Sequence, residues 1–291
     1  MVMGHVYFGS AFDKYIHAFH MPMWFIISGY FINVEKNFRY FLLTKIRVLL
    51  VPFFLFSLSY EITWSLLGYN KWSAIVWPNS LLIPLNGALW FLPAMFFADI
   101  IGYMIIRKYY RDVHSIVLIC VFISFIGTYM GPTLPFSFDS GIVGASLLLI
   151  GYLLRIKEFP VYKGSYLYIV LIVSIIMVFI NGGINVRLNK YAFQPLFYIN
   201  AVLSTIVYWN IAKLVVSKYG EKLAYCYEVG KYSLLYVCIN EFLIVILRRV
   251  PFNAILGKLA SRLLEVIIIL TVCFLLNRVL LKSRFRFIIG K

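Results

Sequence analysis

The sequence predicts an all-α, polytopic transmembrane helical bundle of about nine full helices plus the remnant of a tenth at the N-terminus. Three observations carry that expectation. Of 291 residues, 63% are hydrophobic and only 13% charged, with a mean hydropathy of +0.89. Apolar runs recur at roughly 17–25 residues, the length that crosses a bilayer as a helix. Strict apolar–polar alternation is lacking, and backbone groups in hydrocarbon must pair internally, so helices are favoured over a barrel.

The runs fall at 1–8, 16–33, 41–61, 89–106, 115–131, 141–154, 165–181, 196–212, 231–247 and 263–281. The first is too short to span. The second opens with "HAFHMP", in which His17 and His20 share a helix face. Pro22 lacks an N–H and clashes with the Ala18 carbonyl, so it either starts the regular helix or kinks it. Ser28-Gly29 then supplies small residues for close helix contact. The third run, "TKIRVLLVPFF", sets Lys45 and Arg47 at the mouth of a proline-bent helix. The fourth, "LWFLPAMFF", has Trp90 and its neighbours as an interfacial aromatic belt, with Pro93 in its first turn. Asp99 and Glu241 lie about halfway along their helices, whereas Glu61, Asp139 and Glu265 stand near one surface. No linker, repeat, cleavable leader or soluble domain is visible, and a single domain over 1–291 is the simplest organisation.

The formal charge is +16, from 27 Lys and Arg against 11 Asp and Glu. Its distribution argues for membrane orientation and against nucleic acid. Loops at 33–47, 107–114, 154–164 and 213–231, with the tail from Arg278, hold 19 of the 27 cations. The alternate connections hold eight: Lys14, Lys71, Arg187, Lys190, Arg248, Arg249, Lys258 and Arg262. The positive-inside rule then puts the C-terminus in the cytoplasm of a multi-pass cell-membrane protein. The connection at 248–262 resists that rule. Cys120, Cys226, Cys238 and Cys273 form no CxxC pair or zinc spacing, and three of them read as small hydrophobes.

Only eleven residues separate His5 from His17, so a short hairpin gathers His5, His17 and His20 into one neighbourhood. Imidazoles titrate near neutrality and take protons from hydroxyls. The alternatives at this point are interfacial decoration or a three-histidine zinc site, although no further ligand stands at a telling spacing. Acids within the bilayer suggest function by default, the alternative being a structural pair or a neutral acid.

The segments "MVMGHV", "HAFHMPMWFIISGYF", "TKIRVLLVPF", "LWFLPAMFF", "LPFSFDSG" and "VGKYSLLYV" together resemble, in order, the membrane-bound acyltransferase family 3, most closely its fucose 4-O-acetylase-like branch. The likeness runs from His5 to about Ile239. It implies a ten-helix fold that moves an acetyl or other acyl group from acetyl-CoA to a sugar hydroxyl of a bacterial surface glycan or its precursor. The partners implied are acyl-CoA, a carbohydrate or glycolipid acceptor and the lipid bilayer, with no nucleic acid and no metal. The family's catalytic histidine aligns with His5, the expected general base; His17 and His20 are expected to orient the acceptor or stabilise the oxyanion. Asp139 or Glu61 is expected to fix the imidazole tautomer. Lys45 and Arg47, with Ser28 and Trp90, are the expected cofactor contacts. The family also has a full first helix with an arginine well before the histidine, whereas here Met1 stands four residues before His5, making the chain N-terminally short relative to that pattern. Many relatives also carry a histidine where this chain has Asn240 or Glu241. A glycolipid flippase without covalent chemistry, or an inactive relative acting as a partner subunit, are the competing readings. If the histidines face outward and acetyl-CoA is cytosolic, a cavity through the bundle must join them, faced by Asp99 and Glu241.

Overall fold

The structure is a computed structural model that describes residues 2–66, 87–110, 112–162 and 164–290. Lys71, Arg111, Lys163 and Lys291, counted above among the loop cations, lie outside the described residues. Every one of the nine expected spans coincides with a helix. In chain order the α-helices of the described residues are α1 (Val2–Val6), α2 (Ser10–Phe31), α3 (Phe38–Lys45), α4 (Val51–Leu66), α5 (Phe91–Lys108), α6 (Val113–Tyr129), α7 (Phe138–Ile156) and α8 (Ser165–Asn181). There follow α9 (Gln194–Tyr219), α10 (Ala224–Lys231), α11 (Leu234–Leu247), α12 (Phe252–Leu256) and α13 (Lys258–Lys282). A two-residue hairpin, β1 (Ile184–Asn185) with β2 (Lys190–Tyr191), joins α8 to α9. Among the described residues five helical stretches are long and apolar enough to cross a membrane, and α6, α8 and α11 are shorter apolar helices. The chain is an all-α helical membrane bundle, and α1 is a short helix at its start.

Local chemistry accounts for the irregularities. Tyr7 (φ 66°) and Gly9 (φ 121°) reverse the chain after α1, and the Asp13 carboxylate accepts the Phe8 N–H at 3.3 Å to close the turn. Pro22 does not start α2; it stands inside a helix that runs through it. Between α3 and α4 the helix widens over Ile46–Leu50, where the Val51 N–H reaches back five residues to the Ile46 carbonyl. Pro52 has no N–H to offer the Val48 carbonyl, which is the usual origin of such a widened turn.

The hub of the bundle is α7, packed against α2, α5 and α6. Its crossing with α2 is too close for side chains at two points. A Cβ on Gly29 would stand 1.8 Å from the Leu148 carbonyl oxygen, and one on Gly151 would stand 1.9 Å from that of Ile26. The small-residue contact expected at Ser28-Gly29 is therefore with α7. On the outside, Leu118, Phe122, Phe125 and Tyr129 of α6 and Ile172, Ile176 and Ile180 of α8 are exposed at helical spacing, the apolar faces a bilayer covers.

Successive helices run up and down, so the connections sort to two ends. At one end Tyr103 donates to the Lys36 carbonyl at 2.6 Å, Arg107 to the same carbonyl at 3.0 Å and Arg155 to that of Ile32 at 2.7 Å. The cation-rich loops gather there. At the other end Arg248 reaches the His5 carbonyl at 3.4 Å, and the Asn189 amide reaches those of Gly127 and Met130.

Candidate active site

The turn between α1 and α2 lays His5 over His17, with ring centroids 6.4 Å apart, and one helical turn sets His20 beside His17 at 5.2 Å. Both contacts are edge to face. His17 Nδ1 lies 2.8 Å from the Asp13 carbonyl, and His20 Nδ1 lies 2.8 Å from that of Ile16. A carbonyl only accepts, so in each ring Nδ1 is the protonated nitrogen and Nε2 keeps its lone pair. His5 Nδ1 lies 2.7 Å from Glu241 Oε1 of α11. That contact fixes the same tautomer in His5 and leaves its Nε2 as a proton acceptor.

These groups line a cavity of about 200 Å³ with Met21, Gly87, Ala88, Trp90, Ile184, Asn185, Val186 and Arg187. Burial holds the Arg187 guanidinium's pKa below its ordinary value, and the nearby Glu241 carboxylate pulls it back up. Arg187 rides on a turn that is itself pinned. Ser140 Oγ donates to the Val186 carbonyl at 3.1 Å, and the Asn185 side chain accepts the Leu188 N–H at 3.1 Å.

A second, larger cavity of about 540 Å³ opens at the cation-rich end. The buried Asp99 carboxylate is its polar anchor: Lys45 Nζ lies 2.7 Å from one oxygen, and Ser28 Oγ donates to the other at 2.8 Å. Lys36, Lys231 and Tyr232 stand in its wall. The two cavities lie one after the other along α2. His17, His20 and Met21 face the small one, while Trp24, Ile27, Ser28 and Phe31 face the large one, all on a single helical stripe. About 16 Å of helix separates His17 from Ser28 at the usual rise per residue.

The structure therefore gathers His5, His17 and His20 at one site, and Ser28 and Lys45 at another. Trp90, expected beside a cofactor, lines the histidine cavity instead. Arg47 is exposed and lines neither cavity. Glu61 is buried in α4 outside both. Asp139 is fully buried but turned to its own chain: it accepts the Ser140 N–H at 2.7 Å and the Leu134 N–H at 3.3 Å, closing the turn in which Phe136 and Ser137 are left-handed. The acid beside His5 is Glu241 rather than Asp139 or Glu61; Glu241 and Asp99 each face a cavity, as expected, but Glu241 lines the smaller one and Asp99 the larger. Arg187 and Gly87 carried no signal in the sequence. Among the described residues no group of three or more His, Cys, Asp or Glu converges as a metal site.

The sequence model of the acyltransferase 3 family, described as an acyltransferase domain, matches residues 1–280. The chain belongs to that family. No curated protein and no solved structure matches it. A multi-pass membrane acyltransferase is thus the frame in which the two cavities are to be read.

Proposed function

We propose that the protein is a membrane O-acetyltransferase that moves the acetyl group of acetyl-CoA to a sugar hydroxyl of a surface glycan or its precursor, in the manner of the fucose 4-O-acetylase-like branch. The observation that carries this reading is the His5–Glu241 pair at 2.7 Å in the wall of a small cavity, with a second, larger cavity further along the same helix. The acceptor hydroxyl loses its proton to His5 Nε2 as its oxygen attacks the thioester carbonyl. The attack forms a tetrahedral oxyanion. Collapse breaks the C–S bond, and His5 returns the proton to the leaving sulfur. Glu241 holds the imidazole tautomer and balances the imidazolium formed in between, the role a carboxylate plays beside a catalytic histidine.

On this reading the larger cavity admits the donor from the cation-rich end, which the positive-inside rule assigns to the cytoplasm. Lys36, Lys45 and Lys231 suit phosphate groups there. The 200 Å³ of the histidine cavity favours a short acyl group. The test is His5→Ala in purified protein supplied with acetyl-CoA and candidate sugars. General-base loss is expected to lower transfer about 10²–10⁴-fold. A flippase would carry its lipid unchanged in the same variant, and that result would reject acyl transfer.

A further inference from the structure

The histidine cavity contains a cation that the acyl-transfer steps do not require. Arg187 stands in its wall, on a turn held from below by Ser140 and from the side by Asn185 and Asn189. Space has been cleared for it: a Cβ on Gly87 would lie 2.4 Å from Arg187 Nη1 and 3.1 and 3.2 Å from the two Glu241 oxygens. Any residue but glycine at 87 would press the guanidinium out of its present place. Placing an arginine beside the bilayer is costly, and proteins keep such groups chiefly where they serve a ligand or pathway. A guanidinium is also a planar fork of donors that matches a carboxylate or phosphate in two parallel bonds.

A second observation points the same way. The connection between α11 and α13 is the one that departs from the charge bias of the other loops at its end. It carries Arg248, Arg249 and Lys258, all exposed, and Arg248 reaches the carbonyls of His5 and Val6 at 3.4 Å. Arg248, tied to the carbonyl of His5 in the cavity wall, adds positive potential that raises the local concentration of an anionic ligand.

We propose that the acceptor carries an anionic group, a carboxylate or a phosphate, which Arg187 seats so that a neighbouring hydroxyl meets His5 Nε2. This rests on the acyl-transfer reading and adds the substrate class to it. Arg187 is then a specificity-determining residue, and Gly87 is the vacancy that positions it.

The experiment uses the full chain in lipid nanodiscs with three acceptors of one sugar: methyl glucoside, methyl glucuronide and methyl glucoside 6-phosphate. Acetyl transfer and acceptor binding by calorimetry are both measured. At least one anionic acceptor is expected to exceed the neutral one about tenfold or more in kcat/KM, as a charged hydrogen-bonded contact would give. Which of the two is favoured distinguishes carboxylate from phosphate. Arg187→Gln should bring the anionic-to-neutral ratio toward one. Gly87→Ala, which displaces the guanidinium without removing its charge, should lower it as well. A wild-type ratio at or below one overturns the proposal even if neither variant folds, as does a ratio that Arg187→Gln leaves intact. Anion binding that Arg187→Gln abolishes, in a protein that transfers nothing, would reject acyl transfer and keep the anion site. Transfer to every sugar without preference would do the reverse, and absence of both transfer and anion binding would remove both.

Discussion

Replacing Glu241 by glutamine separates the mechanism from mere packing, because the side chain keeps its shape and loses only its charge. In the resting enzyme the carboxylate accepts the His5 Nδ1 hydrogen at 2.7 Å. On the proposed mechanism the same contact joins two full charges in the transition state, so its strength would rise as the reaction proceeds, and only that increment would affect kcat. A charge-assisted hydrogen bond is worth about 1.5–3 kcal/mol, against about 1 kcal/mol for a neutral one. Both side chains are 20% exposed, so solvent screens part of the gain and the lower half of that range applies. Since each 1.4 kcal/mol is tenfold, the increment of about 0.5–1.25 kcal/mol over a neutral bond means that Glu241→Gln should lower kcat roughly 2- to 8-fold. The KM for acetyl-CoA should change little, because Glu241 does not line the larger cavity. Steady-state kinetics with saturating acceptor measure both. A kcat within twofold of wild type, or a loss confined to the donor KM, would refute the assignment of Glu241 to His5.

Three further outcomes follow from the packing. Lys45→Met leaves the 1%-exposed Asp99 carboxylate without its cation, a loss of about 3–5 kcal/mol for a buried pair broken on one side. Asp99→Asn should cost less, since Lys45 is 25% exposed and its ammonium can turn to water, and the double variant Lys45→Met/Asp99→Leu should recover much of the loss; thermal unfolding in detergent ranks the three. Gly29→Ala forces a methyl against the Leu148 carbonyl and should cost about 1–3 kcal/mol or prevent assembly, read as the yield of monodisperse protein. Asp139→Ala removes the acceptor of two buried N–H groups and should cost about 1–3 kcal/mol in stability. The pH–rate profile of the surviving Asp139→Ala protein should keep its shape, whereas a catalytic Asp139 would change it.

Helix number and position were legible because hydropathy alone specifies them, and the alternation of charge in the loops matches the two ends at which the connections gather. The cluster of His5, His17 and His20 was legible too, since a turn of three residues leaves little freedom between two helices. Glu241 was harder. Its partner lies 236 positions earlier in the chain, and nothing in the local pattern says toward which cavity a mid-helix acid turns. The opposite difficulty applied to Asp139. An acid at a helix start after Pro135 reads as available, but its oxygens are taken by the backbone of its own turn, a local arrangement set by two left-handed residues. Arg187 sits on an irregular loop whose place depends on α7 through Ser140, so only the three-dimensional packing reveals it.

The peculiarity of α2 acquires a physical meaning from the two cavities. Its stripe from His17 to Phe31 presents imidazoles at one end and the Ser28 hydroxyl at the other, without a change of helix. Rigid spacing along one helix fixes the distance between the groups that would meet the acceptor and those that would meet the donor. Pro22 sits between those groups and removes one backbone donor, so the Ala18 carbonyl loses its helical partner. In hydrocarbon such a carbonyl is re-satisfied by neighbouring helices, water or a local adjustment of the helix. The same α2 turns hold carbonyls that orient His17 and His20. The two histidines of this otherwise apolar helix therefore line a polar cavity in its first half, while the same face continues past Pro22 along the larger cavity.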